Sequence, residues 1–144
     1  MIKELEISKI DKVMRIWLEE NMKTHDFVSQ NYWKENYNFV KNILPESNVL
    51  IYEEEGDVKG FIGIMDKSYI AGLFVSEEYQ SEGIGSQLIE RSKEYYPILK
   101  LDVYARNVRA INFYKKHGFK IEQEKENQDT KEIEYSMIWR RKIR

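Results

Sequence analysis

Residues 68–104 read SYIAGLFVSEEYQSEGIGSQLIERSKEYYPILKLDVY, and the fold turns on them. Ser68 to Val75 is apolar at nearly every position, the pattern of a central strand covered on both faces. After a glycine-bearing loop, Leu88, Ile89, Ser92, Tyr95 and Tyr96 fall on one face of a helix that Pro97 ends. LKLDVYA, residues 99–105, is a second strand. Strand, helix and strand in this order predict two parallel strands joined by a right-handed crossover.

Upstream, NVLIYEEEGDVKGFIGIM, residues 48–65, reads as a hairpin turning at Glu55, Gly56 and Asp57. Two helices precede it. The first follows Ser8, whose hydroxyl is placed to cap it, and packs through Ile10, Val13, Met14, Trp17 and Leu18. The second runs from Ser29 to Ile43, takes its bulk from Tyr32, Trp33, Tyr37, Phe39 and Val40, and stops before Pro45. NMKTHDF, residues 21–27, joins them as a loop. Downstream, Asn107 caps a short helix that Gly118 terminates, and FKIEQE and EIEYSMIW close the chain as paired strands. Helix, helix, three strands, helix, strand, helix and two strands predict an α/β mixed sheet with helices on both faces.

Composition narrows the function. A chain of 144 residues and 17.4 kDa favours one domain, 1–144. The 25 Asp and Glu against 23 Lys and Arg leave a formal charge of −2, so no broad positive field for nucleic acid is expected. The lack of cysteine excludes disulfides, thiolate metal sites and a cysteine nucleophile. No run approaches the ~20 apolar residues of a membrane helix, and charges follow Met1 at once, so neither a membrane span nor a secretory leader is read and the cytoplasm is expected. The polar stretch Glu122 to Glu134 reads as a solvated strand end and loop. YSMIW, residues 135–139, could pair across a dimer, leaving monomer or homodimer open.

Gln80, Ser81, Glu82, Gly83, Ile84 and Gly85 sit between the apolar strand and the helix. Glycine removes the Cβ that would hold a ligand off the backbone, and a helix start offers unpaired amides with partial positive charge. Together they form a phosphate cradle, although the same residues also make an ordinary turn. No Lys-Ser or Lys-Thr follows the last glycine, so this is not a nucleotide-hydrolase loop, and the GxGxxG spacing of a dinucleotide fold is missing.

A second block, Asn107 followed by Asn112, Phe113, Tyr114, Lys115, Lys116, His117, Gly118 and Phe119, supplies the partner signal. In this order the two blocks resemble the GNAT acetyltransferase superfamily: QSEGIG is similar to its acetyl-CoA loop, Gln/Arg-x-x-Gly-x-Gly/Ala, and the second block to its Asn…Asn-Phe-Tyr-x-x-x-Gly-Phe segment. THDF and the aromatic helix after it resemble the small bacterial members that include protein-lysine acetyltransferases. The resemblance implies a central mixed, mostly antiparallel sheet of about seven strands with a splayed parallel pair, flanked by about four helices. It implies acetyl-CoA as co-substrate, no metal, and an amine acceptor on a protein or small molecule. Phe74 and Val75 would align the pantetheine arm, Leu73 or Phe74 would offer an amide to the thioester oxygen, and Gln80, Ser81, Glu82, Gly83, Ile84, Gly85 and Ser86 would wrap the pyrophosphate. Asn107, Asn112 and Tyr114 would border the cofactor, with Asn107 also free to cap its helix. Glu82 departs from the basic or neutral residue usual there, and its side chain is expected to face solvent.

Tyr114 is the candidate acid, because aminolysis of a thioester expels a thiolate that a nearby phenol can protonate; a core aromatic beside Ile111 and Phe113 is the bland alternative. The attacking amine must first lose a proton, since an alkylammonium has a pKa near ~10. SYIAGLFV offers no carboxylate for this. His25 titrates in the useful range and is the candidate base, against an ordinary capping or surface role. Water relayed by Tyr104 or Glu53 is a further route, and Tyr32 and Trp33 could line the acceptor site. His117 is read as serving the helix end. The implied activity is direct transfer of acetyl to a primary amine through a ternary complex. A non-catalytic acyl-CoA sensor and a toxin acting on aminoacyl-tRNA are the rivals, the second disfavoured by the net charge.

Overall fold

The structure, a computed structural model, describes residues 1–142. Among the described residues seven strands form one sheet: β1 Ile2–Glu4, β2 Asn48–Glu54, β3 Asp57–Met65, β4 Tyr69–Val75, β5 Ile98–Tyr104, β6 Lys120–Glu126 and β7 Ile133–Arg140. Their spatial order is β1-β2-β3-β4-β5-β7-β6, and every neighbouring pair is antiparallel except β4 and β5. Four helices, α1 Ile10–Thr24, α2 Gln30–Ile43, α3 Ile84–Tyr95 and α4 Val108–Lys116, cover it. The α3 and α4 side buries Ile62, Leu88, Ile89, Leu99, Leu101 and Phe119, and the α1 and α2 side buries Val13, Met14, Trp17, Ile51 and Phe61.

Local chemistry accounts for most boundaries. The hairpin between β2 and β3 turns on Glu55 at φ 52° and Gly56 at φ 85°, both left-handed, as a two-residue turn between right-twisted strands requires. Ser29 caps α2 by accepting from the Asn31 amide, and Asn107 caps α4 by accepting from the Ala110 amide at 3.2 Å. Gly118, at φ 90°, ends the turn after α4.

Several sequence readings are corrected. Ser8 lies in a 3-10 turn, Ile7–Lys9, and makes no capping bond to α1. Helix α1 continues to Thr24, so the connection to α2 is only the few residues around His25. Phe39 and Tyr95 are exposed, because each falls just off its helix's buried stripe. The short strand β1 went unread, being only three residues with charged neighbours. YSMIW is not a free edge: β7 is inserted between β5 and β6 and hydrogen-bonded on both sides.

The most consequential correction concerns β4. It is central, but of its seven residues only Ile70 is buried, Ala71 is exposed and Leu73, Phe74 and Val75 are half-buried. Its parallel contact with β5 consists of the pair Tyr69 and Lys100, with the Lys100 amide donating to the Ser68 carbonyl at 2.7 Å. Beyond that point the two strands part and leave an open crevice.

Gly118 lies in the left-handed region and its added Cβ would stand 3.2 Å from Trp139 Cδ1. Gly118→Ala is therefore expected to lose about 1–3 kcal/mol in urea unfolding, with a lower Tm. A midpoint equal to that of the parent would show that this turn carries no conformational constraint.

Candidate active site

The crevice opens where β4 feeds the glycine loop. Because β4 has no ladder partner on the β5 side beyond Tyr69, alternate main-chain groups between Ala71 and Val75 face the opening. The loop then makes a 3-10 turn, Glu77–Tyr79, passes through Ser81 at φ 70°, and enters α3 through Gly83 at φ 81°. A Cβ on Gly83 would meet nothing within 4 Å, so the helix start is open above it, and no side chain caps α3. Its first amides are left as donors toward that space. Ser81 and Glu82 are exposed, Ile84 is buried as the loop's anchor, and Gly85 and Ser86 are half-buried. Ser86 Oγ lies 3.0 Å from His117 Nε2, and His117 Nδ1 lies 2.7 Å from Glu90, so His117 ties α3 to the end of α4.

The loop is braced from below by Glu20, a residue absent from the sequence reading. Its carboxylate is buried on α1, accepting from the Glu77 amide at 3.1 Å and from Gln80 Nε2 at 3.0 Å. Gln80 also donates to the Val75 carbonyl at 2.9 Å and accepts from Arg109 at 3.3 Å. The Gln80 side chain is thus a fixed strut between strand, loop and α4. Burial raises the Glu20 pKa, with the Glu77 amide working against it. Helical spacing held the signal: Glu20 continues the buried stripe of Val13, Met14 and Trp17.

His25 is buried and both ring nitrogens are occupied. Asn21 Nδ2 donates to the Trp17 carbonyl at 2.9 Å, which leaves Asn21 Oδ1 to accept from His25 Nδ1 at 2.9 Å. At the other end Asn107 Oδ1 accepts the helix amide, so its Nδ2 faces His25 Nε2 at 3.1 Å as donor. These bonds fix the neutral Nδ1–H tautomer, and burial lowers the pKa to about 4. The imidazole is packed against Tyr104, Phe27 and Trp33. With its lone pair already taken, His25 does not sit as the base it was expected to be; it joins the α1 end to the cap of α4. Asn107 is occupied as the same cap, and Asn112 is exposed.

Tyr114 stands on the inner face of α4, buried beside Phe113 and Phe119, with ring centroids 5.3 and 5.4 Å away. Burial raises its phenol's pKa, so the proton is firmly held. Glu53 pairs with Lys3 and Lys9 near the β1 edge, remote from the opening. Trp33 is buried against Trp17, whereas Tyr32 is half-buried. Tyr104 is buried and pushed up to about 12 by that burial.

Two carboxylates stand on the β5 and β7 side of the opening, Asp102 on β5 and Glu134 one strand further back on β7. Asp102 accepts from Ser136 Oγ at 2.7 Å and Tyr69 at 2.8 Å, and Lys125 lies 3.0 Å away. Burial works to raise its pKa, but these partners outweigh it and hold the carboxyl below its usual value. Glu134, expected in a solvated stretch, is half-buried. A cavity of about 650 Å³ lies elsewhere, between β1, β2 and the end of α3, and shares no lining residue with the loop. Among the described residues no group of three or more His, Cys, Asp or Glu is placed to hold a metal, and no helix is long and apolar enough to cross a membrane.

A mixed sheet split between two parallel strands, with a glycine loop at the mouth and a tyrosine-bearing helix beside it, defines an acetyltransferase fold. The model of the acetyltransferase (GNAT) domain matches residues 45–121, just over half of the chain. The chain belongs to the GNAT acetyltransferase family. It is 34% identical over 122 residues to the peptidyl-lysine N-acetyltransferase YiaC of Escherichia coli, covering 84% of each chain. The solution structure of apo YjaB from Escherichia coli superposes with a TM-score of 0.82 at 25% identity, over 96% of this chain and 95% of that one. The fold is shared with yncA of Salmonella typhimurium, solved with its cofactor acetyl-CoA, at a TM-score of 0.72 and 14% identity, over 100% of this chain and 95% of that one.

Because His25 resists protonation in the folded chain, its contribution to stability is complete above its unfolded pKa of 6.5 and is lost as pH falls toward 4. The loss amounts to about 3 kcal/mol. Chemical denaturation across this window should show His25→Phe with a flatter pH slope than the parent. Identical slopes would mean that the imidazole titrates alike in both states.

Proposed function

We propose that the protein is an acetyl-CoA-dependent N-acetyltransferase, one domain over residues 1–144, that passes acetyl directly to a primary amine in a ternary complex. The observation that carries this reading is the unpaired run of β4 opening onto an uncapped α3 start: an extended chain with amides fits the first, and a diphosphate fits the second. Phe74 and Val75 would align the pantetheine arm, and Leu73 or Phe74 would offer an amide to the thioester oxygen. The amides from Gln80 to Ser86 would hold the pyrophosphate, with the Gln80 side chain kept as the loop's strut. A protein lysine is the favoured acceptor, because YiaC is a peptidyl-lysine N-acetyltransferase. A cytoplasmic location, as monomer or homodimer, goes with this reading.

Acetyl-CoA supplies the activated acyl group. The amine attacks its carbonyl carbon, the C–S bond breaks, and Tyr114 gives its phenolic proton to the departing thiolate. The chain holds no cysteine for an acyl-enzyme, so positioning and charge stabilisation carry the remaining catalysis.

Tyr114→Phe is expected to lower turnover about 10²–10⁴-fold in a thiol-release assay while the calorimetric Kd for acetyl-CoA stays unchanged. Full turnover in that variant would remove the phenol from the mechanism, and binding of CoA with no transfer to any amine by the parent would leave only a sensor. Glu20→Ala orphans the Glu77 amide and removes one of the Gln80 side-chain bonds, and should raise the acetyl-CoA Kd about tenfold by loosening the loop. An unaltered Kd would show that the brace has no bearing on the donor.

A further inference from the structure

We propose that Glu134 takes the proton from the ammonium group of the acceptor, supplying the base that neither β4 nor His25 provides. The inference rests on the acetyltransferase reading above. Glu134 lies at the start of β7, directly opposite Tyr104 at the end of β5. There β5 has already parted from β4, so Glu134 stands one strand back from the crevice, across β5 and level with its wide end. Period-two alternation puts it on the sheet face of Tyr104 and Asp102, the face that α1 and α2 cover, whereas Tyr114 belongs to the α3 and α4 side. Base and acid are thereby placed on opposite faces of the split. An amine can arrive from one while the thiolate departs toward the other.

The partners of Glu134 leave it available. Lys125 is its cross-strand neighbour on β6, but the Lys125 ammonium sits on Asp102. Arg106 is taken by Glu132 at 3.0 Å. Among the described residues no cation forms an ion pair with Glu134. The titratable and charged groups around it are Asp102 and Tyr104 on β5, Tyr69 on β4, Tyr32 on α2, Lys125 on β6, and Glu132 beside it, with Asn127 as its polar neighbour. Burial raises the Glu134 pKa; Asn127 and Lys125 oppose this and the Asp102 charge adds to it. Asp102 is shifted the other way and stays ionised. Two neighbouring carboxylates with affinities drawn apart are the arrangement in which one exchanges protons and the other provides fixed charge.

The step balances without another reactant. The ammonium gives one proton to the Glu134 carboxylate and becomes a neutral amine, whose lone pair forms the N–C bond. On collapse the C–S bond breaks, the thiolate takes the Tyr114 proton, and the nitrogen returns a proton to the phenolate. Glu134 then releases its proton to water.

The test uses the full chain with three probes: an N-terminally blocked peptide with one lysine, a lysine-free peptide with a free N-terminus, and spermidine. Glu134→Gln should lower kcat/KM for the accepted amine about 100-fold near pH 7, and the deficit should shrink as pH approaches the amine's own value of ~10. The Kd for acetyl-CoA should not move. A parent that transfers acetyl while Glu134→Gln matches it in rate and pH profile overturns this proposal alone. A parent that acetylates none of the probes overturns the acetyltransferase reading and this one with it. Carbon-13 NMR titration of the Glu134 carboxyl checks the base without activity: titration above the ordinary glutamate range supports it, and titration at or below that range overturns it.

Discussion

The structure depends on one missing ladder. Strands β4 and β5 pair only where Tyr69 meets Lys100, and from there to their C-terminal ends their facing main-chain groups go without each other. A buried amide or carbonyl without a partner is destabilising, so such a gap persists only when its neighbours hold it open and something else can satisfy it. On one side β5 is committed to β7 along seven consecutive pairs, Ile98 to Tyr104. On the other β4 is committed to β3, closely enough that a Cβ on Gly60 would come within 2.9 Å of the Phe74 carbonyl. Neither strand can swing across without surrendering a longer ladder. The crevice is therefore a built feature, and an extended ligand with its own amides is what its edge can accept.

Helix α1 holds both banks of this opening. Near its end Glu20 reaches the glycine loop through Glu77 and Gln80, and Asn21 reaches α4 through His25 and Asn107. Each chain of bonds is complete: Asn21 and Asn107 use both ends of their amides, and the Glu20 oxygens each have a donor. Such completeness matters because a half-satisfied buried network destabilises more than an apolar one would. The two networks leave α1 one residue apart, so the loop that would hold the donor and the helix that carries Tyr114 share a single rigid support.

What the sequence made legible follows from the range of the forces involved. The hairpin, the cap by Asn107 and the helix stop at Gly118 are local, decided within a few residues, and were readable. The apolar run of β4 was legible as a strand, but its exposure was not: hydrophobic residues beside an empty slot look the same in one dimension as residues under a helix. His25 was visible as a titratable group in a loop, while its two asparagine partners, one on α1 and one at α4, meet it only in the fold. Asp102 alternates with the apolar Leu101 and Val103 and so reads as an outward residue; Ser136, Tyr69 and Lys125 reach it from three other strands. Glu134 was hidden by its acidic, polar surroundings in sequence, most of which are exposed while it is half-buried.

The distribution of charge gives the crevice a direction. On the α3 and α4 face stands the uncapped start of α3, whose aligned peptide dipoles place partial positive charge beside Gly83, with Arg109 held nearby through Gln80. The α1 and α2 face carries Asp102 and Glu134, with Tyr32, Tyr69 and Tyr104 around them. On the proposed reading an anionic diphosphate and a cationic amine would be favoured on opposite faces of the gap, and the reverse placement would set phosphate against two carboxylates. The exposed Glu82 runs against this polarity, yet in high dielectric its side chain repels far less than the nearby amides attract. A chain with a net charge of only −2 can thus carry opposite local fields on the two faces of the gap between β4 and β5.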